Sequence, residues 1–335
     1  MKVVIDGMGG DNAPSAVVEG SVLAVSEYDI HIIIVGDSKL IEQELNKHTY
    51  DKSKIEVIHT SEVISTNEAP VMAIRRKKDS SMAVGMKLVK EGKAEAFISA
   101  GSTGALLAGA LFIIGRIKGI DRPALAPILP GKNGGYMVVD VGANTDCKPK
   151  HLLQFAKMGS IYFKQVLKAE NPKVGLVNIG TEEEKGNELT KETFGLLKDS
   201  GLNFVGNVEP REIPAGDIQV LVCDGFVGNT ILKMFEGTAY LLLDALKEEF
   251  MSTAISKVGA LLLKSSFKRF KKKFDYTEYG GAAFLGVEGA VIKAHGSSNA
   301  YAIKNAVRQA KLFIENDTLG KISESIKDTQ NESED

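Results

Sequence analysis

The 335-residue sequence has little cysteine and little net charge, and both absences exclude classes of protein. Two cysteines, Cys147 and Cys223, are too few for a disulfide scaffold, and their spacing fits no zinc pattern, so we expect no metal site. The 41 basic and 43 acidic residues leave a net charge of −2, which excludes a globally basic duplex-binding protein and predicts no nucleic-acid partner. No secretory signal precedes Asp6, so we expect a cytoplasmic protein.

Glycine is the residue in excess, at 34 of 335 residues against a typical share of about 7%. The glycines have no period and are not confined to a linker, which excludes a collagen-like or disordered chain. Many follow short apolar runs without alternation, a pattern typical of strands that are buried on both faces. The runs are residues 3–5, 32–35, 97–98, 137–139, 176–177 and 220–222.

The stretches between these runs predict helices. Asp11 or Asn12 can cap a helix with Pro14 in its first turn, and Ser80 or Ser81 can cap another over residues 82–91. Further helices are predicted over residues 149–168, up to about 200, over 230–250 and over 299–315. Strands that alternate with helices predict a three-layer α/β domain with a mainly parallel sheet and Rossmann-like connections.

We predict a single α/β domain over residues 1–315, which is long enough to bury a core. Residues 251–274 are expected to protrude from it as a basic amphipathic helical element. Residues 316–335 carry six acids and two lysines with few apolar residues, which predicts a disordered tail. The twenty uncharged residues 96–115 could cross a bilayer by length, but an interruption at residues 101–104 favours a buried strand, a loop and a core helix.

The ends of the predicted strands indicate where a ligand binds. In a parallel sheet, ligands bind beyond the carboxyl ends of the strands, and here those ends carry glycine beside Asp, Asn or Ser. Glycine lets backbone N–H groups and helix N-termini approach phosphate oxygens, so several such loops favour an anionic or phosphorylated ligand. For any one loop, a tight turn in which glycine supplies a positive φ is the alternative.

A dinucleotide-binding fingerprint is a second interpretation of the first loop. Residues 3–5 precede Gly7-x-Gly9, and Asp37 could bind a ribose after the second strand. Asn12 stands at the third fingerprint position and Asp6 directly precedes the first glycine, which weakens this interpretation.

The opening motif Val4-Ile5-Asp6-Gly7-Met8-Gly9-Gly10-Asp11-Asn12-Ala13-Pro14 resembles that of the bacterial phosphate acyltransferases, the acyl-ACP:phosphate transacylases of phospholipid synthesis. The resemblance extends in order over residues 1 to about 315. It is carried further by residues 99–106, 140–144, 146–149, 151–156, 178–180, 224–229, Lys233, 236–237, 279–282 and 295–298. Ser102 departs from the family, where asparagine is often found, so a hydroxyl there would replace an amide.

This resemblance implies an activity and partners. A long-chain acyl group would move from the thioester of acyl carrier protein to inorganic phosphate, and a membrane acyltransferase would use the acyl phosphate to acylate glycerol-3-phosphate. It implies a homodimer without a cofactor, in a fold similar to phosphotransacetylases and to isocitrate and isopropylmalate dehydrogenases. A CoA-dependent phosphotransacetylase, a nicotinamide oxidoreductase, and a non-catalytic scaffold for acyl carrier protein are the alternatives.

The chemistry requires a site that holds a phosphate dianion while an oxyanion forms on the thioester carbonyl. Asp224 is the favoured general base, with capping of the next turn as its alternative, and Lys233 could equally form a surface pair with Glu236. The candidate residues for phosphate or substrate binding are Asp6, Gly7, Gly9, Gly10, Asp11, Asn12, Gly101, Ser102, Thr103, Gly104, Asn144 and Asn178, while the catalytic candidates are Asp224, Asn229 and Lys233.

A thiol–imidazole pair is a second catalytic hypothesis. Cys147 and His151 are four residues apart and could form a covalent acyl-enzyme, but Pro149 places Cys147 before the helix proper. We therefore favour direct attack by phosphate. Cys223, in an apolar run, is predicted to be a small buried hydrophobic residue.

Two basic stretches could meet a partner. Residues 254–274 contain no acid and place Leu263, Phe267, Phe270 and Phe274 on one helical face, which favours either a helical hairpin at a dimer interface or a peripheral membrane contact. Residues 75–78 are the second stretch, and either stretch could dock the acidic carrier protein or be a solvated helix face. The predicted contacts are Arg75, Arg76, Leu261, Leu262, Lys268 and Arg269.

Overall fold

Eleven strands form a single sheet in the computed structural model, which describes residues 1–273 and 276–331. The strands are β1 (Lys2–Asp6), β2 (His31–Gly36), β3 (Ile55–His59), β4 (Ala96–Ser99), β5 (Ala124–Pro130), β6 (Gly135–Val139), β7 (Val174–Val177), β8 (Phe204–Val208), β9 (Val220–Val222), β10 (Ala282–Leu285) and β11 (Ala290–Lys293). Their order across the sheet is β3-β2-β1-β4-β11-β10-β5-β6-β9-β7-β8. All six predicted runs lie in strands, whereas β3, β5, β8, β10 and β11 were not predicted.

Strand direction divides the sheet into two halves. β1 is parallel to β2 and β4, β2 to β3, and β4 to β11. β10 is antiparallel to both β11 and β5, and β5 is antiparallel to β6. β6, β9, β7 and β8 are again parallel to one another. The mainly parallel sheet is confirmed, but β6–β9 run opposite to β1–β4, so the loops after the two groups lie at opposite edges.

Helices cover both faces of the sheet, which confirms the three layers. Alternate residues of one strand serve different layers, because Val3 and Ile5 pack beneath α1, α6, α11 and α12 while Val4 packs beneath α3, α4 and α5. The helices within the described residues are α1 (Ser15–Glu27), α2 (Ser38–Leu45), α3 (Pro70–Arg76), α4 (Ser81–Lys90), α5 (Thr103–Gly109), α6 (Pro149–Val166), α7 (Glu188–Lys198), α8 (Gly225–Ser252), α9 (Ala254–Leu262), α10 (Lys264–Lys273), α11 (Ala300–Glu315) and α12 (Thr318–Asn331).

Helix capping agrees with the prediction at the start of α4 and differs at the start of α1. The Ser80 hydroxyl accepts from the Ala83 N–H at the start of α4, and Asn299 caps α11. The prediction that Asp11 or Asn12 caps α1 is wrong, because Pro14 occupies the N-cap without a side-chain bond. The Asn12 amide instead donates to the carbonyls of residues 297 and 298, which ties the first loop to a distant one.

Residues 96–115 form β4, α5 and a π-helical turn, as the glycine interruption predicted. Within the described residues, no helix combines the length and hydrophobicity needed to span a bilayer.

The C-terminal half of α8 leaves the sheet and, with α9 and α10, forms a projection that we call the arm, residues 237–273. No residue from 237 to 270 is buried. Large apolar side chains are exposed along it, including Tyr240 at 75%, Ile255 at 85% and Leu262 at 79%. Residues 251–273 are helical apart from short breaks, while Phe274 lies outside the described residues.

The acidic tail differs from its prediction. Residues 318–331 form α12, and the part of the tail beyond Asn331 lies outside the described residues. Ile322 and Ile326 are buried at 0% and 4% exposure in the core beside α6. Three apolar residues, Leu319, Ile322 and Ile326, share one helical face, and this spacing outweighs the acidic composition.

Candidate active site

A cleft of about 720 Å³ crosses the sheet between α5 and the first turns of α8. One end lies where β1, β4 and β11 finish, and the floor includes residues 127–129 of β5. The predicted site residues that line this cleft are Gly9, Gly10, Asp11, Gly101, Ser102, Thr103, Asn229 and Lys233. Met8, Glu236, Lys293, His295 and Gly296 line it as well and were not in the predicted set.

The loops after β1 and β4 pack backbone to backbone at one end of the cleft. A Cβ on Gly9 would lie 2.8 Å from the Gly101 nitrogen. Gly10 has φ +97°, and a Cβ there would lie 2.8 Å from Ala100 Cβ and 2.9 Å from Gly296 O. Glycine is required at position 9 by the close approach alone, and at position 10 by both the close approach and the positive φ.

Asp6 lies behind these loops and organises them. Its carboxylate accepts from the Ser99 hydroxyl at 2.7 Å and from the Met8 N–H at 3.1 Å, and Ser99 in turn accepts from the Gly101 N–H at 3.0 Å. Burial raises the pKa of Asp6, with hydrogen bonds and Lys293 acting against that rise. Asp6 does not line the cleft itself, and its hydrogen bonds hold the two loops that do.

Lys293, at the end of β11, is the positive charge that the sequence interpretation missed. Its ammonium group donates to the carbonyl of Ala100 at 3.2 Å and to that of Ala294. Burial lowers the pKa of Lys293 to about 8, and the nearby carboxylates of Asp6 and Asp11 oppose that decrease. The available signal was a lysine that directly follows the apolar run 290–292.

The first turn of α5 adds backbone donors to the same end. The Ser102 hydroxyl accepts from the Ala105 N–H at 3.4 Å and so caps the helix, and Ser102 also lines the cleft. Thr103 lines the cleft, and N–H groups in a first helical turn lack intrahelical acceptors. Gly104 faces Pro70 and does not line the cleft.

One side of α8 forms the opposite wall. Asn229, Lys233 and Glu236 recur at helical spacing along it, and the Lys233 ammonium donates to Glu236 at 2.7 Å. His295 faces the same helix, with Nε2 3.9 Å from the Glu236 carboxylate and Nδ1 2.8 Å from the Ser297 hydroxyl. Burial lowers the pKa of His295, which favours a neutral imidazole at neutral pH.

Asn144 is held inside its own loop, away from the cleft. Its side-chain amide donates to Pro123 O at 2.7 Å and to the Asp140 carboxylate at 3.0 Å. Asp140 also accepts from the Leu125 N–H at 2.8 Å, and burial raises its pKa to about 6. The two residues therefore brace the loop after β6.

Asn178 and Asp224 line a second cavity of about 420 Å³ beside β7 and β9. The Asp224 carboxylate accepts from the N–H groups of Phe226 and Val227, both at 2.9 Å, and so caps α8. Because β7 and β9 run opposite to β1 and β4, the predicted loops do not all lie at one edge of the sheet. Val141 and Gly142 after β6 and Asn229 after β9 nevertheless line the main cleft with the loops after β1 and β4. Gly7 and Asn12 do not line the main cleft.

Cys147 and His151 do not form the predicted alternative pair. His151 Nδ1 accepts from the Lys148 N–H at 3.1 Å, while the Cys147 thiol donates to Asn144 O at 3.4 Å. Burial, followed by the charges of Asp140 and Asp224, raises the pKa of Cys147 to about 12. Cys223 is buried at 3% exposure among apolar residues, as predicted. In the part of the chain that the structure describes, no group of three His, Cys, Asp or Glu residues could hold a metal ion.

Comparisons with known proteins agree with this geometry. Residues 1–321 match the family model described as fatty acid synthesis protein. A phosphate acyltransferase from Clostridium tetani is 62% identical over 327 residues, which cover 97% of this chain and 98% of that protein. A phosphotransacetylase structure from Streptococcus pyogenes superposes with a TM-score of 0.61 at 19% identity, covering 94% of each chain. A 4-hydroxythreonine-4-phosphate dehydrogenase from Klebsiella pneumoniae has a TM-score of 0.52 at 12% identity, covering 92% of this chain and 99% of that one. The phosphotransacetylase and dehydrogenase structures support the fold alone.

Proposed function

The chain belongs to the phosphate acyltransferase family, and from this premise we propose that it transfers an acyl group from acyl carrier protein to inorganic phosphate. The observation that supports the phosphate substrate is the buried ammonium group of Lys293 at the end of a cleft lined by two glycine loops. The acyl phosphate product would serve a membrane acyltransferase that acylates glycerol-3-phosphate.

Phosphate binds at the glycine end of the cleft in this proposal. Lys293 and Lys233 supply the positive charge, and the backbone around Gly10 and Thr103 supplies neutral donors. Two lysines at one end compensate the carboxylates of Asp11 and Glu236, which would otherwise repel a dianion. Lys293 holds its position through carbonyl acceptors, so little reorganisation is needed when phosphate arrives.

The thioester lies along the cleft between this end and Asn229. A helical rise of 1.5 Å per residue places Asn229 about 6 Å from Lys233 along α8, so its amide can orient the acyl group or donate to the oxyanion. An oxyanion donor is typically worth about 3–4 kcal/mol of barrier. Apolar residues of β5, residues 127–129, provide a floor that suits an acyl chain.

One proton must move from phosphate to the leaving thiolate. Hydrogen phosphate attacks the carbonyl carbon, the C–O bond forms, and the C–S bond breaks to release the carrier thiol. His295 Nδ1 accepts from the Ser297 N–H, so Nε2 carries the proton of the neutral ring. His295 can therefore donate this proton to the leaving sulfur and take the phosphate proton in its place. Direct attack by phosphate is preferred to an acyl-enzyme because the raised pKa of Cys147 keeps its thiol protonated.

The arm supports two further parts of the proposal. The protein is a homodimer in the cytoplasm, and it attaches peripherally to the inner face of the membrane. Exposed Leu261 and Leu262 lie close in sequence to Lys268 and Arg269. Apolar side chains beside basic ones suit an anionic bilayer surface, where each basic residue contributes roughly 1 kcal/mol. Neutralising residues 268–273 should lower sedimentation with anionic vesicles, and unchanged sedimentation would contradict membrane attachment.

The activity is tested by phosphate-dependent release of free thiol from acyl carrier protein. We expect release that saturates with phosphate and yields a hydroxylamine-reactive acyl phosphate. Release from acyl-CoA alone would favour a CoA-dependent phosphotransacetylase. No release from either thioester at saturating phosphate would favour the non-catalytic scaffold.

A further inference from the structure

We propose that the exposed face of α3 and of the helix that continues α5, formed by Arg75, Arg76, Lys78 and Phe112, docks the acidic surface of the acyl carrier protein. This inference rests on the proposed function, since it assigns the surface on which the thioester substrate arrives. We call these four residues the α3 face.

The α3 face lies beside the cleft because α3 and α5 run side by side from its rim. A Cβ on Gly104 would lie 2.7 Å from Pro70, and further along, a Cβ on Gly109 would lie 3.2 Å from Ile74. Both helices therefore begin near the cleft and run away from it in the same direction. The segment that precedes α3, residues 63–66, lines the cleft itself.

The distance between the α3 face and the rim of the cleft suits the flexible prosthetic group of a carrier protein. At 1.5 Å per residue, Arg75 lies about 8 Å along α3 from Pro70, and Phe112 lies about 14 Å along its helix from Thr103. A carrier protein bound here would hold its acylated prosthetic group above the cleft entrance.

The basic groups of the α3 face form no ion pair within the described residues, since no carboxylate there lies within 4 Å of Arg75, Arg76 or Lys78. Lys77, between them in sequence, is by contrast bound to Glu68 and to Val63 O at 2.7 Å each. Three cations are thus available to an acidic partner, and charge complementarity of this kind speeds association.

Apolar surface accompanies these charges. The guanidinium of Arg75 lies 5.2 Å from the ring centre of Phe112, which is 56% exposed, and Val71 and Met72 on the preceding turn are exposed as well. Cations around a modest apolar patch fit an acidic amphipathic helix.

The basic residues of the arm are too distant to deliver a substrate to the cleft of the same chain. The ring of Phe267 in α10 lies 4.6 Å from that of Phe250, near the far end of α8. Phe250 is about 30 Å along α8 from Asn229 in the cleft wall. Of the two predicted basic stretches, residues 75–78 are therefore the one that we assign to the carrier protein.

The test compares one thioester on two carriers. The variant Arg75→Glu/Arg76→Glu should raise KM for acyl carrier protein by roughly tenfold or more, because repulsion replaces attraction. Its kinetics with the same acyl group on pantetheine, which has no protein surface, should stay at the wild-type value. The control Lys164→Glu/Lys191→Glu makes the same charge change on α6 and α7, on the other face of the sheet, and should change neither.

Three results would overturn the assignment. A wild-type KM for acyl carrier protein in the α3-face variant would do so, as would an equal loss with acyl pantetheine. Loss of binding to phosphatidylglycerol vesicles with an unchanged carrier KM would make the face a membrane contact instead. Failure of the proposed function is distinguishable, because the wild-type protein would then release no thiol from either thioester. Should the double variant not fold, Phe112→Ala measured in the same two assays decides.

Discussion

The two edges of the sheet both carry glycine-rich loops with a buried aspartate, yet they differ in what that aspartate faces. At the edge where β1, β4 and β11 end, Asp6 binds Ser99 and Met8 and lies near the ammonium of Lys293. At the edge where β6 and β9 end, Asp140 is occupied by backbone and amide N–H groups of its own half.

In the function that we propose, this difference separates a loop that binds phosphate from one that holds structure. Both loops have the composition of an anion site, but only the first brings a cation with it into a cleft. At the second edge, the Asp224 carboxylate accepts from two N–H groups and caps α8. A glycine-rich strand end is therefore an anion site only where its neighbours supply compensating charge.

Among the changes that test this contrast between the two edges, removing the Lys293 cation should have the largest effect on activity. Lys293→Met is expected to lower kcat/KM for phosphate about 100- to 1000-fold, the range found for losing one preorganised donor to a transition state. The loss should be the same with acyl carrier protein and with acyl-CoA or acyl-pantetheine, wherever the wild-type protein uses them. Asn178→Ala, at the other edge, is the matched comparison and should change kcat/KM by less than about threefold. Equal losses in the two variants would remove the distinction between the edges.

Changing the backbone of the first edge should have the next largest effect. Gly10→Ala places a Cβ at φ +97° within 2.9 Å of Gly296 O, and strain of this kind typically costs about 1–3 kcal/mol. We expect a lower Tm and a higher KM for phosphate. Gly259→Ala in α9, where a Cβ would meet no atom within 4 Å, should instead raise helix stability by up to about 1 kcal/mol. Calorimetry of both variants provides the measurement.

The pH dependence of phosphate binding offers a finer test of the same edge. Lys293 binds phosphate in its protonated form, so binding should persist below its pKa of about 8 and weaken as pH rises through that value. Above it, KM for phosphate should rise by up to about tenfold per pH unit, as expected for one titrating group. A Lys293→Arg variant keeps its charge at high pH and should lose this rise; persistence of the rise in that variant would assign it to another group.

The smallest effect is expected at the second edge. Asp224→Asn removes the carboxylate but keeps a side chain that caps helices equally well, so stability should change little. If Asp224 is only a cap, thiol release should stay within about threefold of wild type, whereas loss of a general base typically costs about 100-fold or more. Asp224→Ala serves as the stability reference, with an expected loss of about 0.5–2 kcal/mol.

The local structure was largely readable from the chain. Apolar runs such as residues 32–35 and 220–222 became strands, and Ser80 caps a helix as predicted. The helix predicted over residues 299–315 is α11. The tail was misjudged because composition was weighed over spacing, although Ile322 and Ile326 already marked a buried face. Two of the missed strands, β3 and β8, are the edge strands of the sheet, and the other three, β11, β10 and β5, lie in its middle. Strand direction reverses at β10 and β5.

That reversal explains why the candidate site was only partly predicted. Asn144, Asn178 and Asp224 have the residue types of an anion site, but their strands point to the other edge. Lys293 ends β11, which pairs with β4 although nearly two hundred residues separate the two strands in sequence. No local pattern records such a pairing.

The sequence by itself determined the family, most helices and the strands with continuous apolar runs, because periodicity, caps and glycine act over a few neighbouring residues. Only the tertiary structure decided which loops share a cleft, which aspartates hold loops in place and which lysine joins the glycine loops. These depend on strand order and direction, which are set by long-range packing of the two sheet halves and not by any single segment.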